Sequence, residues 1–174
     1  MEYTNFMRFH QVNNLQELVM DIFVSRPTWV SDEFEDGLES FYIALGMLGL
    51  NPRTLGVNDF AIISPLDEVI KILNKCKGAI ILGYPQIKVQ KGELKDKEIL
   101  EPFDLGTEWN HIEAGLAYSK GLPLLIIHHE SVKRGIFELG ALNLYIHKVN
   151  LAQSDWAMNP AVNGAILNWK NLCI

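Results

Sequence analysis

Gly78-Ala79-Ile80-Ile81-Leu82-Gly83-Tyr84, and further on Leu122-Pro123-Leu124-Leu125-Ile126-Ile127, are the two runs that decide the fold. Each is apolar without polar alternation and has the length of a strand, which fits strands buried on both faces. Between them, Thr107 to Ala117 reads as a helix. Met20-Asp21-Ile22-Phe23-Val24-Ser25 is a further short apolar run of the buried-strand kind. Asp32, with Glu35 as its capping-box partner, opens a helix with Phe34, Leu38, Phe41 and Leu45 on one face and Gly49 as its stop. Residues 52–57 read as a second strand with Asn58-Asp59-Phe60 as its exit. Ser64-Pro65 starts the next helix, Ser as N-cap and Pro in its first turn, with Leu66, Val69, Ile70 and Leu73 as the buried stripe. Residues 142–149 read as a fifth strand, and Asn159-Pro160 opens a last helix ending near Leu172.

Strands alternating with helices predict an α/β protein: a flavodoxin-like, three-layer fold with about five parallel strands and helices on both faces. A chain of 174 residues is expected to form a single domain. Residues 1–18 read as an N-terminal extension containing a short helix from Asn14 to Val19, residues 86–106 as a charged, solvated loop insert, and residues 150–174 as a C-terminal helical segment. Glu130 to Leu139 is compatible with a short helix.

Composition narrows the function classes. The 48% apolar and 21% charged residues are those of a soluble globular protein, and a net charge of −6 argues against an extended nucleic-acid footprint. The polar, acidic start Met-Glu-Tyr-Thr-Asn is unlike a signal peptide, and no apolar stretch is long enough to span a bilayer. Cys76 and Cys173 lack metal-ligand spacing. A cytoplasmic protein with no membrane partner is expected. Phosphate-loop, dinucleotide-fingerprint and nucleophile-elbow motifs are missing from the sequence. His128-His129-Glu130 has a metal-like composition, but adjacent strand residues point to opposite faces.

In open α/β sheets ligands bind beyond the carboxyl ends of the strands. That edge collects Ser25, Arg26, Trp29, Asp59, Phe60, Tyr84, Trp109 and Glu113. Glu113 stands out because it shares a helix face with Trp109, Ile112, Leu116 and Ala117. A carboxylate there carries a desolvation cost unless it is paired or lines a pocket. Its alternatives are a catalytic group or a buried carboxylate satisfied by an Arg or by backbone N–H groups. Trp109 reads as core packing or as a stacking surface, and Arg26 and Asp59 as ligand contacts or as each other's ion-pair partners.

Asp21-Ile22-Phe23-Val24-Ser25 resembles the opening box of TIR domains, and Thr107-Glu108-Trp109-Asn110-His111-Ile112-Glu113 resembles their Ser-x-Trp-x-x-x-Glu segment. Ser64-Pro65 and the helix and strand after it stand where such a domain has its BB loop, second helix and third strand. The resemblance covers roughly residues 20–149. The chain departs from the pattern in its charged insert, in Gly56-Val57-Asn58-Asp59-Phe60 where the family has a Gly-rich loop, and in lacking a C-terminal Phe-Trp box. It therefore looks like a divergent bacterial TIR-like protein.

The resemblance implies cleavage of the nicotinamide–ribose bond of NAD by Glu113, with hydrolase or cyclase outcome, and a role in anti-phage defence. It also implies self-association into a homo-oligomer. Here NAD is a candidate substrate, and no cofactor is expected. Nucleoside 2-deoxyribosyltransferases are similar in fold and place a Glu on a comparable helix, which makes another nucleoside or nucleotide the alternative substrate. A non-catalytic nucleotide-sensing or scaffold domain is the third reading.

Overall fold

Continuous apolar strands need both faces covered, and the chain meets that need with two pairs of helices. The computed structural model describes residues 19–62, 64–142 and 144–174. In chain order these run β1 (Met20–Ser25), α1 (Glu35–Met47), β2 (Leu50–Arg53), α2 (Pro65–Leu73), β3 (Ala79–Gly83) and the short strands β4 (Ile87–Val89), β5 (Glu93–Leu94), β6 (Lys97–Glu98) and β7 (Phe103–Leu105). Then follow α3 (Glu108–Ser119), β8 (Leu124–His129), β9 (Ile146–Val149) and α4 (Pro160–Leu172). The extension at 1–18, with its expected helix, lies outside the described residues.

The main sheet has the order β2-β1-β3-β8-β9 and every pairing is parallel. Renumbered along this sheet alone, that is the flavodoxin-like order, in which the direction of winding reverses between β1 and β3. Side-chain alternation builds a core on each face. Ile22, Val24, Ile80, Leu82 and Ile127 pack with Phe41 and Leu45 of α1 and Val162, Ile166 and Trp169 of α4. Phe23, Ala79, Ile81 and Ile126 pack with Val69, Ile72 and Leu73 of α2 and Ala114 and Ala117 of α3. The fold is thus a three-layer α/β sandwich. Among the described residues no helix is long and apolar enough to cross a membrane.

Local chemistry explains most boundaries. Ser64 accepts a hydrogen bond from the Asp67 N–H and caps α2, while Asn159 caps α4 in the same way through the Ala161 N–H. Gly49 takes the left-handed conformation just beyond α1 (φ +69°). The expected Asp32–Glu35 capping box does not form. Asp32–Phe34 is a 3-10 turn, and α1 starts at Glu35 without a side-chain cap. The second strand spans Leu50–Arg53 rather than 52–57, because the chain turns back after Arg53 through bonds from the Val57, Asn58 and Asp59 N–H groups to the Thr54 carbonyl. Leu66 is exposed, and Ile72 takes its place in the α2 stripe.

The charged segment is more regular than a loop. β4 pairs antiparallel with β7, and β5 with β6 through a two-residue turn whose Lys95 and Asp96 both have positive φ. This arm is tied to the chain after β8, where the Asp104 N–H donates to the Ser131 carbonyl and the Lys133 N–H donates to the Asp104 carbonyl. Residues 130–139 contain only a 3-10 turn, Gly135–Phe137.

Candidate active site

α3 begins in a capping box. Thr107 Oγ1 accepts from the Asn110 N–H at 3.1 Å, and Asn110 Oδ1 accepts from the Thr107 N–H at 3.2 Å and from the Thr107 hydroxyl at 3.0 Å. The Asn110 amide then reaches into the sheet. Its Nδ2 donates to Ser25 Oγ at 2.9 Å and to the Leu82 carbonyl at 3.4 Å. The ends of β1 and β3 are therefore bound to the first turn of α3 at the point where the winding reverses.

That anchorage sets the face of α3 and corrects the helix face expected from hydropathy. Asn110, Glu113, Ala114 and Ala117 are the buried positions, at i, i+3, i+4 and i+7. Trp109 and Ile112 are exposed instead. Glu113 is buried regardless, only 7% exposed, and none of the ion pairs among the described residues includes it. Burial pushes its carboxyl from the ordinary 4.5 up to about 7, and the neighbouring Ser25 hydroxyl moderates that rise. A carboxyl poised near neutrality can act as a nucleophile or a base without a strong partner.

Glu113 forms part of the wall of a cleft of about 360 Å³ at this edge, a size suited to a small-molecule ligand. Arg26, Trp29 and Trp109 line it with Glu113, together with Pro27, Thr28, Leu55, Gly56, Pro65, Gln86 and Thr107. Trp29 is 64% exposed and Trp109 41%, so both offer indole surface at the cleft rather than filling the core. Gly56 has φ +78°, and a Cβ there would stand 2.9 Å from Thr28 Cγ2, so glycine lets the loop after β2 close against the loop after β1.

Other residues named from sequence are placed elsewhere. Tyr84 is fully buried in the α1–α4 core, on the opposite side from Glu113, because strand alternation sends Leu82 and Tyr84 to that face. Its hydroxyl has no hydrogen-bond partner among the described residues, nor has the Trp156 indole N–H. Asp59 is held by Arg53 through both carboxylate oxygens, one at 2.8 Å from Nε, and Arg53 also meets Asp21 at 3.0 Å. Asp59 thus pairs with Arg53 and not with Arg26. Phe60 projects into solvent, 69% exposed, and does not line the cleft. Ser25 lies beneath the cleft and not on its wall. His111 is half-buried against Phe137.

Asn110 was not among the residues expected to matter, although the Thr-x-x-Asn spacing three residues before Glu113 carries its signal. Thr28, Gln86 and Thr107 supply the other polar side chains of the cleft. His128 and His129 do diverge, one buried against Phe137 and the other packed on Phe34. Among the described residues no group of three His, Cys, Asp or Glu is placed to hold a metal. No family model matches the chain, and no curated protein is significantly similar to it.

Proposed function

We propose that this protein is a TIR-type N-glycosidase that cleaves the nicotinamide–ribose bond of NAD, with Glu113 as its catalytic residue. The observation that carries the reading is a buried carboxyl without an ion-pair partner among the described residues, set in the wall of a cleft that two exposed indoles also line. The cleft's place at the reversal point of a parallel sheet supports the reading further.

In this mechanism the base lies against Trp29 or Trp109, and Arg26 holds phosphate oxygens. The C1–N bond breaks and its electron pair goes to the nicotinamide nitrogen, so the base leaves neutral. Positive charge develops at C1 of the ribose, where the Glu113 carboxylate stabilises it or bonds to it. Water then adds at C1 and its proton passes to the carboxylate, giving ADP-ribose. If a nitrogen of the adenine adds instead, the product is cyclic. The TIR reading also brings self-association of copies and a role in defence against phage.

The test is a panel. Purified protein, at concentrations spanning its assembly, is incubated with NAD and with purine and pyrimidine nucleosides, and released base is followed by chromatography. Nicotinamide release supports the reading. Cleavage of nucleosides alone makes the protein a nucleoside glycosidase or deoxyribosyltransferase, and no turnover in the assembled state leaves a nucleotide-binding domain.

A further inference from the structure

The loop after β1 separates two hollows. Arg26, Thr28 and Trp29 wall the Glu113 cleft on one side and a second hollow of about 440 Å³ on the other. Beyond them the second hollow is formed by α1, which contributes Glu35, Glu39, Leu38 and Tyr42.

Arg26 stands at the junction and is fixed there. Its Nε donates to the Tyr42 hydroxyl at 2.9 Å, its Nη1 donates to the Pro27 carbonyl at 2.7 Å, and its guanidinium carbon lies 5.8 Å from the centre of the Tyr42 ring. A guanidinium has more N–H donors than these contacts use. Among the described residues no carboxylate lies within ion-pair distance of it, although Glu35 and Glu39 wall the same hollow. An immobilised, half-buried cation with spare donors suits phosphate oxygens, which it can bind in a fork.

We propose that the second hollow receives the distal nucleoside of a two-nucleoside ligand whose pyrophosphate crosses over Arg26. Glu35 and Glu39 accept hydrogen bonds from the distal ribose hydroxyls, as acidic residues do in other dinucleotide sites. The base rests against Leu38 and Tyr42. This deepens the N-glycosidase reading and rests on it for the choice of ligand. It also predicts a preference for a dinucleotide over a mononucleotide within a single chain.

The experiment is calorimetric titration of wild type and the double variant Glu35→Ala/Glu39→Ala with ADP-ribose and with ribose 5-phosphate. Both glutamates are exposed, so the variant keeps the core intact. The expected result is that wild type binds ADP-ribose at least about tenfold more tightly than ribose 5-phosphate, and that the double variant loses about tenfold for ADP-ribose alone. Equal affinities in wild type, no binding of ADP-ribose, or an unaltered double variant would overturn the proposal. Nicotinamide release from NAD and from nicotinamide mononucleotide, measured in parallel, separates the two ideas. ADP-ribose binding without release defeats the glycosidase reading and leaves the hollow. Release from both substrates with equal kcat/KM, unaltered in the variant, defeats the hollow and leaves the glycosidase.

Discussion

Asn110 donates its side-chain amide to the Ser25 hydroxyl across 2.9 Å, which commits that oxygen as an acceptor and leaves its hydrogen to be donated elsewhere, beside Glu113. Ser25 is 1% exposed and Asn110 fully buried, so water does not compete for this bond. Ser25, held by Asn110 beneath the cleft, thus moderates the upward shift of the carboxyl that lines it.

Ser25→Ala removes the hydroxyl that opposes the burial-driven rise, so the Glu113 pKa is expected to move further upward. Carbon-13 NMR of the Glu113 carboxyl reads this directly. An unmoved titration would remove Ser25 from the account. Asn110→Ala strands the capping groups of α3 and is expected to cost about 1–3 kcal/mol in urea unfolding.

The raised Glu113 pKa has a sign for stability. Between about 4.5 and 7 the folded carboxyl keeps a proton that the unfolded chain has released, so the contribution of Glu113 to stability declines as pH rises through that window. Glu113→Gln abolishes this slope. Its stability relative to wild type is expected to grow by as much as about 3 kcal/mol from pH 4 to pH 8, followed by denaturant midpoints. A constant difference across that range would mean that Glu113 ionises as easily folded as unfolded.

Trp109 is predicted to act on the ligand and not on the fold. Being 41% exposed, it should cost less than about 1 kcal/mol of stability when replaced by Ala, while KM for the cleaved substrate rises about tenfold through the lost stacking surface. A large loss of stability with unaltered KM would return it to a packing role.

Tyr84→Phe tests the opposite assignment. The hydroxyl is buried without a hydrogen-bond partner among the described residues, so its removal is expected to leave turnover unchanged and stability the same or up to about 1 kcal/mol higher. Loss of turnover in a folded variant would place Tyr84 at the chemistry.

The strands were legible because burial on both faces leaves continuous apolar runs, as in Ala79–Leu82. The face of α3 was not, for a reason tied to the site itself. Its buried side begins with Asn110 and Glu113, while Trp109 and Ile112 are exposed, so hydropathy points to the wrong face of the helix. Tyr84 looked accessible because tyrosine ends a strand there, yet strand parity decides its side. The Asp59–Arg53 pair depends on how the chain folds back after β2, which no local spacing reveals. The hairpin at Lys95-Asp96 lacks the Asn-Gly or Asp-Gly pair that would have announced its turn.

Whether Glu113 breaks an N-glycosidic bond is decided by the initial rate of nicotinamide release from saturating NAD. Wild type and Glu113→Gln are compared at pH 7.5 and at matched assembly states. Steady release by wild type and a fall of about a thousandfold or more in the variant are expected, with ADP-ribose affinity retained. Equal rates in the two proteins, or no release by assembled wild type, would contradict that role for Glu113.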